Sequence, residues 1–192
     1  ASTEVPDLIG IFEPDLVLLN DDDLTYTKIR LDPKSLAVVT ENISAISESL
    51  PRALSWSAAW DMCRDAEMPT RDHLKLVLGG IGTEPDISVA QTLLAQTKAA
   101  RDRYADPASR PNGLATLAAR MRELLLAAAP GSDHQLAWTR AFVGAATSAD
   151  DIALIRGLLA GTERIEGLPM DPDLRWHLLT RLVVLGAAGE DD

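Results

Sequence analysis

The feature that most constrains this chain is a series of helix-start signals that recurs about every twenty residues from Asp32 to Pro172. Asp32-Pro33 and Asp171-Pro172 each pair a favoured N-cap with a proline at the first helical position, where its missing N–H had no partner to lose. Ser132 with Gln135 has the spacing of a capping box, Ser148 with Asp151 makes a similar start, and Thr70 after Met68-Pro69 reads as another cap. The predicted starts fall near 33, 52, 71, 85, 114, 133, 149 and 172, so a helix pair recurs about every forty residues. That is the period of a HEAT or armadillo-like stack. Residue identity does not repeat, so the repeat is one of architecture.

Apolar periodicity fills the intervals. Leu36, Val39, Ile43, Ile46 and Leu50 stand at steps of three and four, and Pro51 ends or kinks that helix. Leu74, Val77, Leu78 and Ile81 mark the next face but one, stopped by Gly79, Gly80 and Gly82. Asp106 to Gly113, with two prolines, an asparagine and a glycine, reads as a loop before a strong helix over Leu114 to Ala129. Gly161 and Gly186 close the last two helices.

Ahead of the first helix, Asp15 to Asp32 has a different pattern. Leu16 to Leu19 and Leu24 to Leu31 flank Asn20-Asp21-Asp22-Asp23, and the second run carries Thr25, Tyr26, Thr27 and Ile29, which suit a pleated surface. The expectation is strand, turn, strand. As a calcium loop the acidic cluster fits poorly, because Tyr26 stands where the turn needs Gly and Asp32 where a bidentate Glu belongs, so it reads as a solvated turn. The predicted fold is therefore all-α, an antiparallel helical repeat over 33–192 behind a short N-terminal β segment within 1–32.

With 192 residues, 46% of them hydrophobic, the chain can build a real core, and a net charge of −11 repels phosphate backbones. Nucleic acid is excluded as an expected partner. Cys63 is the single cysteine, and its setting in a helical face makes it a buried structural thiol rather than a nucleophile. The start lacks Met and any signal-peptide pattern, and no apolar run reaches the length of a membrane span. The expectation is a soluble, cytoplasmic piece of something longer, with no membrane partner.

No residue set has the spacing of a catalytic or metal site. His73, His134 and His177 are far apart in sequence, and surface or satisfied interface positions are expected for His73 and His177. Ser132-Asp133-His134 cannot converge as a triad, being contiguous. Trp56 and Trp60, four apart, form a stripe expected in the core, and Trp138 and Trp176 are expected to be mostly buried as well. No catalytic, cofactor or metal residue is assigned.

Four segments nevertheless carry a resemblance: LVLLNDDDLTYTKIRLD (16–32), LPRALSWSAAWDMCRDAEMP (50–69), PGSDHQLAWTR (130–140) and GLPMDPDLRWHLLTRL (167–182). Together, in order, they resemble the C-terminal helical domain of zinc metallo-aminopeptidases of the aminopeptidase N family, in the form found in actinobacteria. The resemblance implies a parent enzyme that removes residues from peptide amino termini with a zinc-bound water. Residues 1–32 would then link from a preceding β-sandwich, and 33–192 would be a helical domain truncated at its C-terminal end. It also implies that this domain covers the catalytic cleft of its own chain and restricts peptide access. The HExxH and GxMEN motifs of that family do not occur here, so the piece is expected to be inactive alone, with zinc only in the parent. In some relatives a basic residue of this domain reaches the carboxylate end of the peptide, and Arg120, Arg122, Arg140 and Arg175 are the arginines on helix faces that could do so. The alternative reading is a stand-alone helical-repeat scaffold that binds a protein partner.

Overall fold

Each start signal becomes a helix in the computed structural model, which describes residues 3–189. Among the described residues there are eight α-helices: α1 (Pro33–Asn42), α2 (Ser49–Arg64), α3 (Thr70–Gly80), α4 (Ile87–Ala99), α5 (Arg110–Ala127), α6 (Asp133–Ala145), α7 (Ala149–Ala160) and α8 (Pro172–Val184). The expected linker and helical domain extend at either end to residues 1–2 and 190–192, which lie outside the described residues. The caps work through the side chains that announced them. Asp32 accepts from the backbone N–H of Lys34 and Ser35 at 2.9 and 3.0 Å, and Asp171 from that of Leu174 at 2.8 Å. Ser132 and Ser148 accept from Gln135 and Asp151, both at 3.1 Å. Thr70 does not cap; α3 starts on it, with Pro69 in the cap position and no side-chain bond there.

Two boundaries differ from the periodicity. The first helix stops at Asn42, a short 3-10 turn over Ile43–Ala45 follows, and Pro51 lies in the first turn of α2 rather than at the end of α1. A proline is tolerated there because first-turn N–H groups have no intrahelical acceptor. The expected loop 106–113 shrinks in the same way: Asp106 caps a 3-10 turn over Pro107–Ser109, and α5 begins at Arg110 with Pro111 in its first turn.

The β segment is not formed, since no strand occurs among the described residues. Asn20 and Asp23 have left-handed backbones (φ 63° and 53°), and the Asn20 side chain closes the turn by itself, its Oδ1 accepting from Thr25 N–H and its Nδ2 donating to Thr25 O, both at 2.8 Å. An Asx side chain has taken the place of the first ladder rungs. Instead of pairing with each other, the two runs lie along the helices. Val17 N–H donates to Ser35 on α1 at 2.9 Å, Ile29 and Leu31 are buried, and Lys28 and Arg30 both reach Asp65 beyond the end of α2.

Helices adjacent in sequence pack as α2 with α3, α3 with α4, α5 with α6 and α7 with α8, and helices two apart pack as α1 with α3, α2 with α4, α3 with α5, α4 with α6 and α6 with α8. Every helix thus finds its apolar partners close by in sequence. One core runs through Val39, Leu76, Leu93, Met121, Phe142 and Leu178, each essentially excluded from solvent. Gly80 permits the closest approach: a Cβ there would lie 2.3 Å from Ile43 Cγ2 and 2.8 Å from Trp56 Cη2.

Candidate functional site

Two concavities and one buried polar node are the places where chemistry gathers. The node forms around Glu84, just after α3. Its carboxylate accepts from Arg52 Nε at 2.9 Å, Arg52 Nη2 at 3.2 Å, Trp56 Nε1 at 3.1 Å and the Asp86 N–H at 3.3 Å, while its backbone carbonyl accepts from His134 Nε2 at 2.9 Å. Burial pushes the Glu84 carboxyl up, and the bonds from Arg52, Trp56 and Asp86 more than offset this, leaving it below its ordinary range. With α2, α6 and the N-cap of α4 tied at one residue, the node is a structural tie.

The first concavity, about 410 Å3, lies between α3, the end of α4 and the start of α5. The end of α4 widens there into a π-turn over Ala100–Tyr104, placing Arg101 at the cavity. Arg71 and Lys75 from α3 and Arg110 from α5 complete a cationic rim. At the floor, His73 is 1% exposed, its Nδ1 has no hydrogen-bond partner, and its ring lies 5.5 Å from that of Trp60. Burial lowers its pKa to about 4, so the ring is neutral near pH 7. Of the surface or satisfied interface positions expected for His73, the surface one is corrected: the ring lies at the interface of α3 with α2, though its Nδ1 is not satisfied there.

The second concavity, about 630 Å3, is an open apolar groove between α7 and α8, lined by Leu159, Trp176, Leu179, Leu182 and Ala187 with Arg156 and Arg175 at its edges. Trp56 and Trp138 are buried as expected and Trp60 is half-buried, but Trp176 is 68% exposed in this groove. Leu174, Leu178 and Leu182 already fill the inner face of α8, which turns the indole outward.

The four candidate arginines do not converge. Arg120 donates to the Leu78 carbonyl at 3.2 Å and pairs with Glu123, Arg122 pairs with Asp151, Arg140 pairs with Asp173, and Arg175 stands in the groove. None of them reaches the cavity beside His73. The basic residues that do gather there, Arg71, Lys75, Arg101 and Arg110, come from three elements, and no sequence spacing joins them.

A zinc site finds no donor set here. Among the described residues no group of three or more His, Cys, Asp or Glu side chains is placed to hold a metal ion. His134 is committed to the Glu84 carbonyl, and His177 Nε2 donates to the Arg140 carbonyl at 3.2 Å. Cys63 is buried, and burial raises its pKa, as suits a structural thiol. Among the described residues no helix is long and apolar enough to cross a membrane.

Comparison with known proteins supplies what the cavities alone do not. The model of the ERAP1-like C-terminal domain matches residues 16–192. The chain belongs to that family. It is also 52% identical over 187 residues to a protein of Streptomyces lividans named Aminopeptidase N, an alignment that takes in 97% of this chain and 22% of that relative. The chain thus spans about a fifth of the relative's length. The resemblance carried by the four sequence segments is therefore confirmed, and the family's helical domain is what the eight helices build.

Proposed function

We propose that this chain is the helical domain of a longer zinc aminopeptidase, non-catalytic by itself, standing over the catalytic cleft and limiting which peptides reach it. The observation that carries the reading is the 52% identity to Aminopeptidase N across nearly the whole chain, joined to its 22% share of that protein. In this reading residues 1–32 link from a preceding β-sandwich, 33–192 form part of a helical repeat that continues as a superhelix, and the partner is the catalytic domain of the same chain in a cytoplasmic enzyme. Zinc and its activated water would belong to residues outside this chain, since the donors described here do not fit a metal. The helices supply a different contribution. A wall of antiparallel helices excludes folded proteins and narrows the path to a cleft while leaving room for an extended peptide.

The test is made in the full-length enzyme. Removing this chain is expected to leave hydrolysis of a single-residue aminoacyl anilide detectable while the preference for short over long peptides collapses. Retained discrimination by length would overturn the gating role. The 192-residue chain alone is expected to show no turnover and no stoichiometric zinc. The exposed groove at Trp176 favours, as the second reading, a scaffold that docks a protein partner there; such a chain would act without an attached peptidase.

A further inference from the structure

We propose that Asp65 and Glu67 form an ionic latch on Lys28 and Arg30, and that this latch, rather than any backbone pairing, fixes the direction in which the projecting turn 19–27 presents Leu24 and Tyr26. The proposal is independent of the peptidase reading. It starts from how the segment ahead of α1 is fastened. Among the described residues, no backbone–backbone hydrogen bond involves 24–31. Side chains do the holding, and they do it on two faces. Ile29 and Leu31 are buried in the core, while Lys28 and Arg30, on the alternate positions, turn to the end of α2. Lys28 Nζ donates to both oxygens of the Asp65 carboxylate, at 3.0 and 2.7 Å, and Arg30 Nη2 donates to the same carboxylate. Arg30 Nε lies 2.5 Å from Glu67 Oε2.

The backbone behind the carboxylates holds them in place. Ala66, between them, has a left-handed conformation (φ 62°) that residues with a Cβ seldom adopt. The Glu67 and Met68 N–H groups both donate to the Met62 carbonyl, at 2.9 and 3.0 Å, and Met68 is buried. This reversal sets Asp65 and Glu67 so that one guanidinium reaches both.

The other end of the segment is docked on α1. Lys34 Nζ donates to the Pro14 carbonyl at 2.8 Å, Val17 N–H donates to Ser35 Oγ at 2.9 Å, and Leu16 and Leu18 pack against the core. Between these fastenings the turn closes on itself through Asn20 and leaves Leu24 and Tyr26 exposed.

The two faces of 28–31 hold by different forces. Burial of Ile29 and Leu31 is not screened by salt. The four charged side chains keep between 30% and 50% of their surface exposed, so their attraction weakens as the Debye length falls from about 10 Å at 0.1 M to about 3 Å at 1 M. Salt therefore opens the latch while the apolar anchor stays closed, and the turn then moves about Ile29.

The test follows backbone order by heteronuclear NOE in the 192-residue chain. At about 0.05 M sodium chloride the amides of 21–27 are expected to be nearly as ordered as those of α1. At about 1 M salt, and at low salt in Asp65→Asn or Lys28→Gln, the open fraction should rise roughly tenfold and the NOE values of 21–27 should fall, while Ile29, Leu31 and 13–18 keep theirs. Lys28 is exposed, so its variant tests the latch even if the change at Asp65 disturbs the end of α2. Asp21→Asn makes the same change of charge on the turn itself and should have no effect. A turn equally ordered or equally mobile at both salt concentrations, order untouched by Lys28→Gln, an equal loss in Asp21→Asn, or loss of order at Ile29 and Leu31 together with the turn would each overturn the latch.

Discussion

His73, through its burial, and Glu84, through the bonds its carboxylate accepts, both contribute to the chain's pH dependence, and they act in different windows. His73 is held neutral with a pKa of about 4, below its ordinary 6.5. Between those values the unfolded chain takes up a proton at this position and the folded chain does not, so stability falls as pH is lowered through the window. The total is about 3 kcal/mol, or about 1.4 kcal/mol per pH unit. His73→Leu is expected to flatten the profile between pH 6.5 and 4.5, measured as urea midpoints; an unchanged slope would contradict a buried neutral ring. Glu84 has a lowered pKa, so its contribution is present above the usual carboxylate range and is lost only as pH falls below it. Removing its charge is the sharper test. Glu84→Leu leaves Arg52 charged, with a side chain only 10% exposed, and should cost about 3 to 5 kcal/mol. The double variant Arg52→Met/Glu84→Leu should recover much of that loss, because no uncompensated charge then remains. Chemical denaturation of the four proteins of the cycle reads the coupling directly.

At the scale of elements, glycines at the helix ends separate backbone conformation from crowding. Gly161 ends α7 with φ 76°, and a Cβ there would meet nothing within 4 Å. Gly167, in the connection to α8, has nearly the same φ, 75°, yet its Cβ would lie 2.3 Å from Gly131 N and 2.5 Å from the Pro130 backbone. Both alanine variants bear the left-handed cost of about 1 kcal/mol. Only Gly167→Ala must also push two connections apart. It should therefore lower the thermal midpoint clearly more than Gly161→Ala, and equal shifts would mean that the α6 and α8 connections do not touch as described. The cap at Ser148 gives a smaller, independent check: Ser148→Ala should cost about 1 kcal/mol, since the Asp151 N–H loses its acceptor.

At the scale of the molecule, the distribution of the tryptophans distinguishes a sealed core from an open end. Trp56 and Trp138 are 3% exposed, whereas Trp176 is 68% exposed beside Val183 and Val184, at 51% and 69%. Acrylamide is expected to quench chiefly the Trp176 emission, and Trp176→Phe should remove most of the quenchable fraction while leaving the unfolding midpoint nearly unchanged. A large loss of stability would show instead that the indole packs into the helices. The groove is thus a surface that the fold presents and does not use for its own core, in keeping with the proposal that further helices of a longer protein continue the stack from this end.

What the sequence determined by itself was local. Asp32, Ser132, Ser148 and Asp171 announced α1, α6, α7 and α8 because a cap is a bond between residues two or three apart, and the apolar steps between caps announced the all-helical class. The four spaced segments also carried the family. The extended run before α1 read as strands because its residue types suit a pleat, but a pleat requires a partner, and the Asn20 side chain and the flanks of α1 and α2 took up its polar and apolar groups first. The burial of His73 and the exposure of Trp176 were decided only by tertiary packing, since which face of a helix turns inward depends on neighbours up to dozens of residues away. The cationic cavity was decided in the same way. Its charges lie on α3, the turn after α4 and α5, and long-range packing alone brings them to one rim.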